Sequence, residues 1–332
     1  MPISGQIHRI LYIRTDRIGD VLMNLPAIRV LRQTFPKAWI SVMMDESIAE
    51  LLRGHPDIDE VITVSAVEFK KSFRYRASFT EKIKKIKFDL GIAANPDKYL
   101  HALLYFSKIR HRLGYDRKWS FFLDQKAPHG KSEPPRHESR KNLDLIRLVS
   151  DKEWDSSISL PADEFARKDI EAFLKKDGLS GISFIAVHSG TSDPKKRWAE
   201  GRFAEVCDRL QVEGRFKVIL VGGKEEVESS KKVSQAMKTP VLDWTGRLDL
   251  RQLTALFHHP DAKLLLSSDS GPVHIAWISG TKVVAFYAKD TAGSDPQRWG
   301  PLDGKSEVIF KPMPEVTADE VFYLAKKVLE KK

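Results

Sequence analysis

The chain predicts an α/β fold of two Rossmann-like domains facing a central cleft, and three observations carry that reading. Strand-length apolar runs alternate with segments of helical period. The alternation occurs twice, once in each half of the chain. The strongest runs end in polar turns that lead into helices, the junction at which open parallel sheets bind ligands. A length of 332 residues suits two domains that each bury a core. We place them at 1–158 and 159–332, with a terminal helix over 316–329 able to pack back on the first domain.

In the first half, residues 9–14 form a short apolar run, followed by a polar loop over 15–19. A helical pattern follows through Val21, Leu22, Leu25, Ile28 and Leu31, with Pro26 inside it. Strands are expected over 39–44, 61–64 and 89–94, with helical segments over 48–52 and 79–86 between them. Residues 126–138 are rich in proline, glycine, serine and charge, and read as a long surface loop. A helix over 142–149 and a linker through 160–161 close this half.

The second series opens with a helix over 163–175, closed by Gly178. Strands are expected over 183–187, 217–221, 241–242, 263–267 and 282–287. Helices are expected over 203–212, 225–237, 250–257 and 316–329. There is no apolar run long enough to span a membrane and no signal-peptide form at the N-terminus, so the chain reads as cytoplasmic. Cys207, the single cysteine, excludes a disulfide framework and a cysteine-rich metal site. The ten histidines lack metal-ligand spacing, and no metal and no cofactor is expected.

A net charge of +10 points to acidic partners. Lys70, Lys71, Arg74, Arg76, Lys82, Lys84 and Lys85 cluster within 68–88, interleaved with Phe69, Phe73, Tyr75, Phe79, Ile83 and Ile86. Two readings stand: a solvated helix with a buried apolar stripe, or a contact surface for an acceptor or an anionic membrane. Lys108, Arg110, Arg112, Arg117 and Lys118 extend the basic region. A nucleic-acid-binding reading lacks any RNA-binding or helix-turn-helix signature.

Four junctions carry candidate chemistry. At 267–274, Asp269, Ser270, Gly271 and His274 stand where an apolar run feeds a helix N-terminus, which suits an anion such as a diphosphate. At 14–20, Gly19 permits close backbone approach, and Asp20 is either a helix cap or a proton-accepting carboxylate. At 188–198, Thr191 and Lys196 are a hydroxyl and a cation suited to phosphate oxygens, or parts of a basic surface loop. At 221–226, Glu225 is placed to cap a helix or to bind ribose hydroxyls. Two patterns are set aside. Asp269, Ser270 and His274 lack the G-x-S-x-G elbow of a serine hydrolase. Asp57-Ile58-Asp59 lies in a polar turn and reads as a solvated loop.

Taken together, the segments "RIGDVLMNLPAIRVLRQTFP" (17–36), "HPDIDEVI" (55–62), "RHESRKNLDLI" (136–146), "HSGTSDPKKRWAEGRFAEV" (188–206), "VILVGGKEE" (218–226), "DWTGRLDLRQLTAL" (243–256) and "SSDSGPVHIAWISGTKVVAFY" (267–287) resemble the heptosyltransferases of glycosyltransferase family nine. The resemblance implies a GT-B-like fold and inverting, metal-independent transfer of a heptose from ADP-heptose to the lipopolysaccharide inner core. It implies Asp20 as general base. Gly19, Thr191, Lys196, Glu225, Leu248, Asp269, Ser270, Gly271 and His274 would be donor-site residues. Arg17 departs from the family pattern, standing where some members carry serine, and could add a cation to the phosphate site. The partners it implies are ADP-heptose, a phosphorylated lipid-linked oligosaccharide and the anionic inner face of the inner membrane, with the protein peripheral there. Alternatives are another nucleotide sugar, a nucleotide-sugar epimerase, or a nucleic-acid-binding protein.

Overall fold

The computed structural model describes residues 6–129, 136–150, 155, 157–214 and 216–331. It divides into two compact units, Met1–Ser159 and Leu160–Lys332. Each is built on a six-stranded parallel sheet. Parallel strands covered on both faces read as continuous apolar runs. In β1 (Arg9–Ile13) every residue but the first is buried.

In the first unit α1 (Ile18–Leu22) and α2 (Leu25–Thr34) follow β1. The pattern expected as one helix is two, because Pro26 lacks an N–H and is tolerated only in a helix's first turn. The break is satisfied from elsewhere: the Asn142 side chain donates to the Met23 carbonyl at 3.1 Å. Next come β2 (Trp39–Asp45), a 3₁₀ segment over Glu46–Leu52, and β3 (Glu60–Val64).

The basic stretch also forms two helices, α3 (Ala66–Lys71) and α4 (Phe73–Ile86). Ser72 ends the first, and its hydroxyl accepts from the Tyr75 N–H to cap the second. The unit continues with β4 (Leu90–Ala93), α5 (Lys98–Phe106), β5 (His111–Tyr115), β6 (Gln125–Ala127) and α6 (Glu138–Ile146). The loop expected over 126–138 is therefore bounded by a strand and a helix, and its residues 130–135 lie outside the described residues, as do 151–154 and 156 of the linker.

The second unit contains α7 (Glu164–Lys176), β7 (Phe184–His188), α8 (Glu200–Gly214), β8 (Lys217–Leu220), α9 (Val227–Ala236), β9 (Leu242–Asp243) and α10 (Leu250–His258). It ends with β10 (Ala262–Ser268), α11 (Gly271–Ile278), β11 (Val283–Ala288), α12 (Pro296–Trp299), β12 (Glu307–Lys311) and α13 (Ala318–Glu330). The terminal helix, considered above for the first domain, belongs to this unit. Its Val321, Phe322, Ala325 and Val328 join the core formed by α8 and the central strands.

The first sheet runs β3-β2-β1-β4-β5-β6 and the second β12-β11-β10-β7-β8-β9. Counted from its own first strand, the second order read backwards is the same as the first. In each sheet the winding reverses between the first and fourth strands, and there the loops leave on opposite faces and open a crevice. β1 and β4 pair there with Ile13 opposite Ala93. β7 and β10 pair with His188 opposite Ser267.

Trp198 fills the core of the second unit. Its indole N–H donates to the Val316 carbonyl at 2.9 Å, and its ring lies 4.7 Å from Phe203 and 4.8 Å from Phe286. Trp198→Ala is expected to destabilise this unit by about 3–5 kcal/mol, measured by urea unfolding. A loss below about 1 kcal/mol would contradict the packing.

Candidate active site

The first crevice is organised by a buried cation. Arg14, the residue after β1, donates from Nη1 to the Ala94 carbonyl at 2.6 Å. Its Nη2 contacts Asp16 at 3.0 Å and pairs with Asp20. Asn95, just beyond β4, accepts from the Thr15 N–H at 3.1 Å and donates to Asp16. The turn after β1 is thus tied to the turn after β4.

Asp20 lies in the first turn of α1, beside the buried Gly19, and its carboxylate faces Arg14 rather than capping the helix. Burial is the largest influence on Asp20 and raises its pKa; Arg14 opposes this, and Asp16 and Glu138 add to the rise. The net direction is upward, towards a better proton acceptor. Arg17 is exposed at the N-cap of α1. A pocket opens beside this network, lined by Thr15, Asp16, Asn95 and Asp97 from the strand ends and by Phe69 and Lys70 from α3.

Among the basic residues, Lys70, Lys71, Arg74, Lys82 and Lys85 are exposed. Two others are engaged. Arg76 donates to the carbonyls of Phe69 and Lys70 at 2.9 and 3.0 Å, and Lys84 pairs with Glu81 at 2.9 Å. Arg112, expected as surface charge, is fixed to Asp124 and to the Phe122 and Ile109 carbonyls. Phe69, Phe79 and Ile83 form the buried stripe, whereas Phe73 is 75% exposed.

Arg76 also stacks on Tyr99, whose ring begins a chain of ring contacts through Trp119 and Phe122 to Tyr105, Phe106 and Phe121. Four of these, Tyr105, Phe106, Trp119 and Phe121, are exposed. The sequence reading missed this face because its rings come from two separate segments.

The second crevice collects the other candidates. Asp269 follows β10 and pairs with Lys196 at 2.6 Å; the Ser294 hydroxyl donates to the same carboxylate at 3.0 Å. Ser270 is the N-cap of α11, yet its side chain makes no capping bond. Its hydroxyl lies 3.2 Å from Nδ1 of His188 and 3.0 Å from the Ser267 hydroxyl. Nδ1 of His188 is also 3.0 Å from Ser267, while Nε2 meets both carboxylate oxygens of Glu226 at 3.0 and 2.9 Å.

Glu226, not Glu225, supplies the cap at the turn after β8, accepting from the Gly223 N–H at 2.8 Å. Burial is the largest influence on Glu226 and raises its pKa, but the bond and charge of His188 and the Gly223 N–H together outweigh it; the net direction is downward, so Glu226 is ionised. Glu225 is exposed. A Cβ at Gly190 or Gly222 would lie 2.2 or 2.6 Å from the Glu226 carboxylate, so a side chain at either would push Glu226 from its present position.

The Thr191 hydroxyl accepts from the Asp193 N–H at 3.2 Å, shaping the loop that carries Lys196. Gly271 begins α11, and His274 is buried on the same helix with its ring 6.2 Å from Trp299. Leu248 is half-buried before α10. Asp59 accepts from the Ile40 N–H at 2.7 Å and pairs with Arg32, so it anchors a strand. Cys207 is fully buried, which pushes its thiol pKa up. No helix among the described residues is long and apolar enough to cross a membrane.

Two parallel-sheet units, each with polar groups at its reversal point, give the chain a GT-B-like fold. Among the solved structures that share this fold are the glycosyl transferase family 9 protein of Veillonella parvula, at TM-score 0.88 and 23% identity over 99% of both chains, and the Escherichia coli ADP-heptose LPS heptosyltransferase II, at TM-score 0.80 and 22% identity over 97% of this chain and 98% of that one. Lipopolysaccharide heptosyltransferase 2 of Salmonella typhimurium is 25% identical over 316 residues, covering 91% of this chain and 87% of the relative. The family model for glycosyltransferase family 9 (heptosyltransferase) matches residues 76–322. The chain belongs to glycosyltransferase family 9, and it is a glycosyltransferase.

The raised carboxyl of Asp20 has a consequence for stability. A group whose folded pKa lies above its unfolded value contributes stability at low pH and loses it as pH rises through the folded pKa. Asp20→Asn is therefore expected to be at least as stable as wild type at neutral pH, with the difference vanishing on acidification. Thermal unfolding against pH measures this. A variant weaker than wild type by more than about 1 kcal/mol at neutral pH would show that the Arg14 pair outweighs burial.

Proposed function

We propose that this protein transfers a heptose from ADP-heptose to a phosphorylated, lipid-linked acceptor of the lipopolysaccharide inner core, inverting the anomeric carbon without a metal ion. The unit over 1–158 binds the acceptor and that over 159–332 the donor. The observation that carries the reading is the raised basicity of Asp20 beside a buried arginine, in a chain whose second crevice offers a cation and an uncapped helix N-terminus. The names of the Escherichia coli and Salmonella relatives support the choice of substrates.

An acceptor hydroxyl is far less acidic than a carboxylic acid, so full proton transfer before attack is unfavourable. The proton instead passes to Asp20 late, as the acceptor oxygen bonds to C1 and the electron pair of the C1–oxygen bond leaves with the nucleoside diphosphate. Attack opposite the leaving group inverts C1. Lys196 exchanges Asp269 for the diphosphate, and the α11 terminus, through Ser270 and Gly271, receives its oxygens. Asp269 then positions the donor sugar. Thr191 and His274 complete the donor pocket, Glu225 binds ribose and Leu248 lies against adenine.

Asp20→Ala is expected to lower kcat by roughly 10²–10⁴-fold while ADP affinity stays within about twofold. Product analysis with ADP-heptose and truncated lipopolysaccharide cores, with calorimetry for ADP, measures both. A near-wild-type kcat would remove Asp20 from the role of base.

The exposed lysines of α3 and α4, Arg74, and the adjoining aromatic face support a peripheral position at the anionic cytoplasmic side of the inner membrane. Aromatic rings favour the headgroup region, and cations favour anionic lipid. Binding to vesicles rich in anionic phospholipid is expected to fall steeply with salt. Salt-insensitive binding, or none, would contradict the location.

A further inference from the structure

The bonds around His188 leave no spare proton for a ligand. The Glu226 carboxylate faces Nε2 with both oxygens, which places a ring proton there; in the neutral ring Nδ1 is then an acceptor. Two hydroxyls reach Nδ1, those of Ser267 and Ser270. The Ser267 hydroxyl also lies 2.8 Å from the Ser268 carbonyl, to which it donates. In this arrangement two hydroxyl protons serve two acceptors, Nδ1 and the Ser268 carbonyl. Ser270 therefore spends its proton inward and presents lone pairs outward.

A diphosphate oxygen that accepts from the Ser270 hydroxyl adds a third acceptor to a set with two protons. Either a buried acceptor loses its bond, at a cost of about 1–3 kcal/mol, or a proton is added. The place for it is Nδ1: a doubly protonated ring donates to Glu226 from one side and to a serine oxygen from the other. That frees the Ser270 hydroxyl to donate to the ligand. The carboxylate of Glu226 faces the resulting imidazolium directly, and Ser267 of β10 and Ser270 before α11 face its other edge. The nearby charges Lys196 and Asp269 neutralise each other until Lys196 turns to the ligand.

We propose that binding of a nucleoside diphosphate at Ser270 is coupled to proton uptake by His188, with Glu226 as the fixed counter-charge. This rests on the donor-site reading above and adds a linkage to it. Affinity for ADP then strengthens as pH falls through the histidine range, by up to about tenfold per pH unit. His188 is a positioning residue: it sets which way the Ser270 hydroxyl donates.

The test is titration calorimetry with ADP in buffers of different ionisation enthalpy, on wild type, His188→Gln and Ser270→Ala. Protonation of ADP itself is common to all three and cancels in the comparison. Wild type is expected to take up about one proton more than either variant. ADP binding to all three with equal proton uptake would overturn the linkage while leaving the donor site standing. Absence of any ADP binding by wild type would overturn the donor-site reading, and the linkage with it. His188 is buried, so if its variant does not fold, Ser270→Ala carries the comparison. The His188 ring-carbon resonance of the wild type must then move to its protonated position on addition of ADP; a resonance that stays at its neutral position overturns the linkage.

Discussion

The reversal of winding in each parallel sheet is the constraint on which the rest depends. Strands that pair side by side, β1 with β4 and β7 with β10, send their following loops to opposite faces. The gap between those loops cannot be filled by either helix layer. Polar side chains at the strand ends can therefore meet each other and a ligand without displacing core. Arg14, Asp16, Asp20 and Asn95 occupy one gap; His188, Asp269 and Ser270 occupy the other.

The gaps are closed in different ways, and the difference fits the different roles proposed for them. In the first unit a buried guanidinium is shared between two carboxylates and a backbone carbonyl. That arrangement holds Asp20 in place while burial keeps it basic. In the second unit a network of imidazole and hydroxyls, backed by Glu226, stands beside the Lys196–Asp269 pair. It has donors that turn and a cation that can change partners, which suits an anion that arrives and leaves. Both groupings hold charge away from water, an arrangement that a protein optimised only for stability would avoid.

Much of the fold was legible because central parallel strands are covered on both faces. β1, β7, β10 and β11 each contain an unbroken apolar run, and the sequence marks them. β5, β6 and β12 were missed because "HRLGY", "QKA" and "EVIFK" mix polar with apolar residues, as strands towards a sheet edge do. The site was legible as a set of junctions but not as a set of bonds. Arg14 looked like the end of an apolar run, since nothing local shows that Ala94, eighty residues on, receives its proton. Glu225 and Glu226 are indistinguishable by spacing at a turn; only the folded turn shows that Glu226 points inward to His188. The partnership of His188 with Ser270 spans 82 residues and depends on strand order, which no local pattern encodes.

The central claim is that the two reversal points divide the labour, the second holding the nucleotide and the first the proton acceptor. Hydrogen-exchange mass spectrometry with and without ADP tests this most directly. Protection is expected to centre on 188–196, 222–228 and 267–275, with 12–24 and 93–98 little changed. Protection centred on 12–24, or spread evenly over both units, would contradict the account.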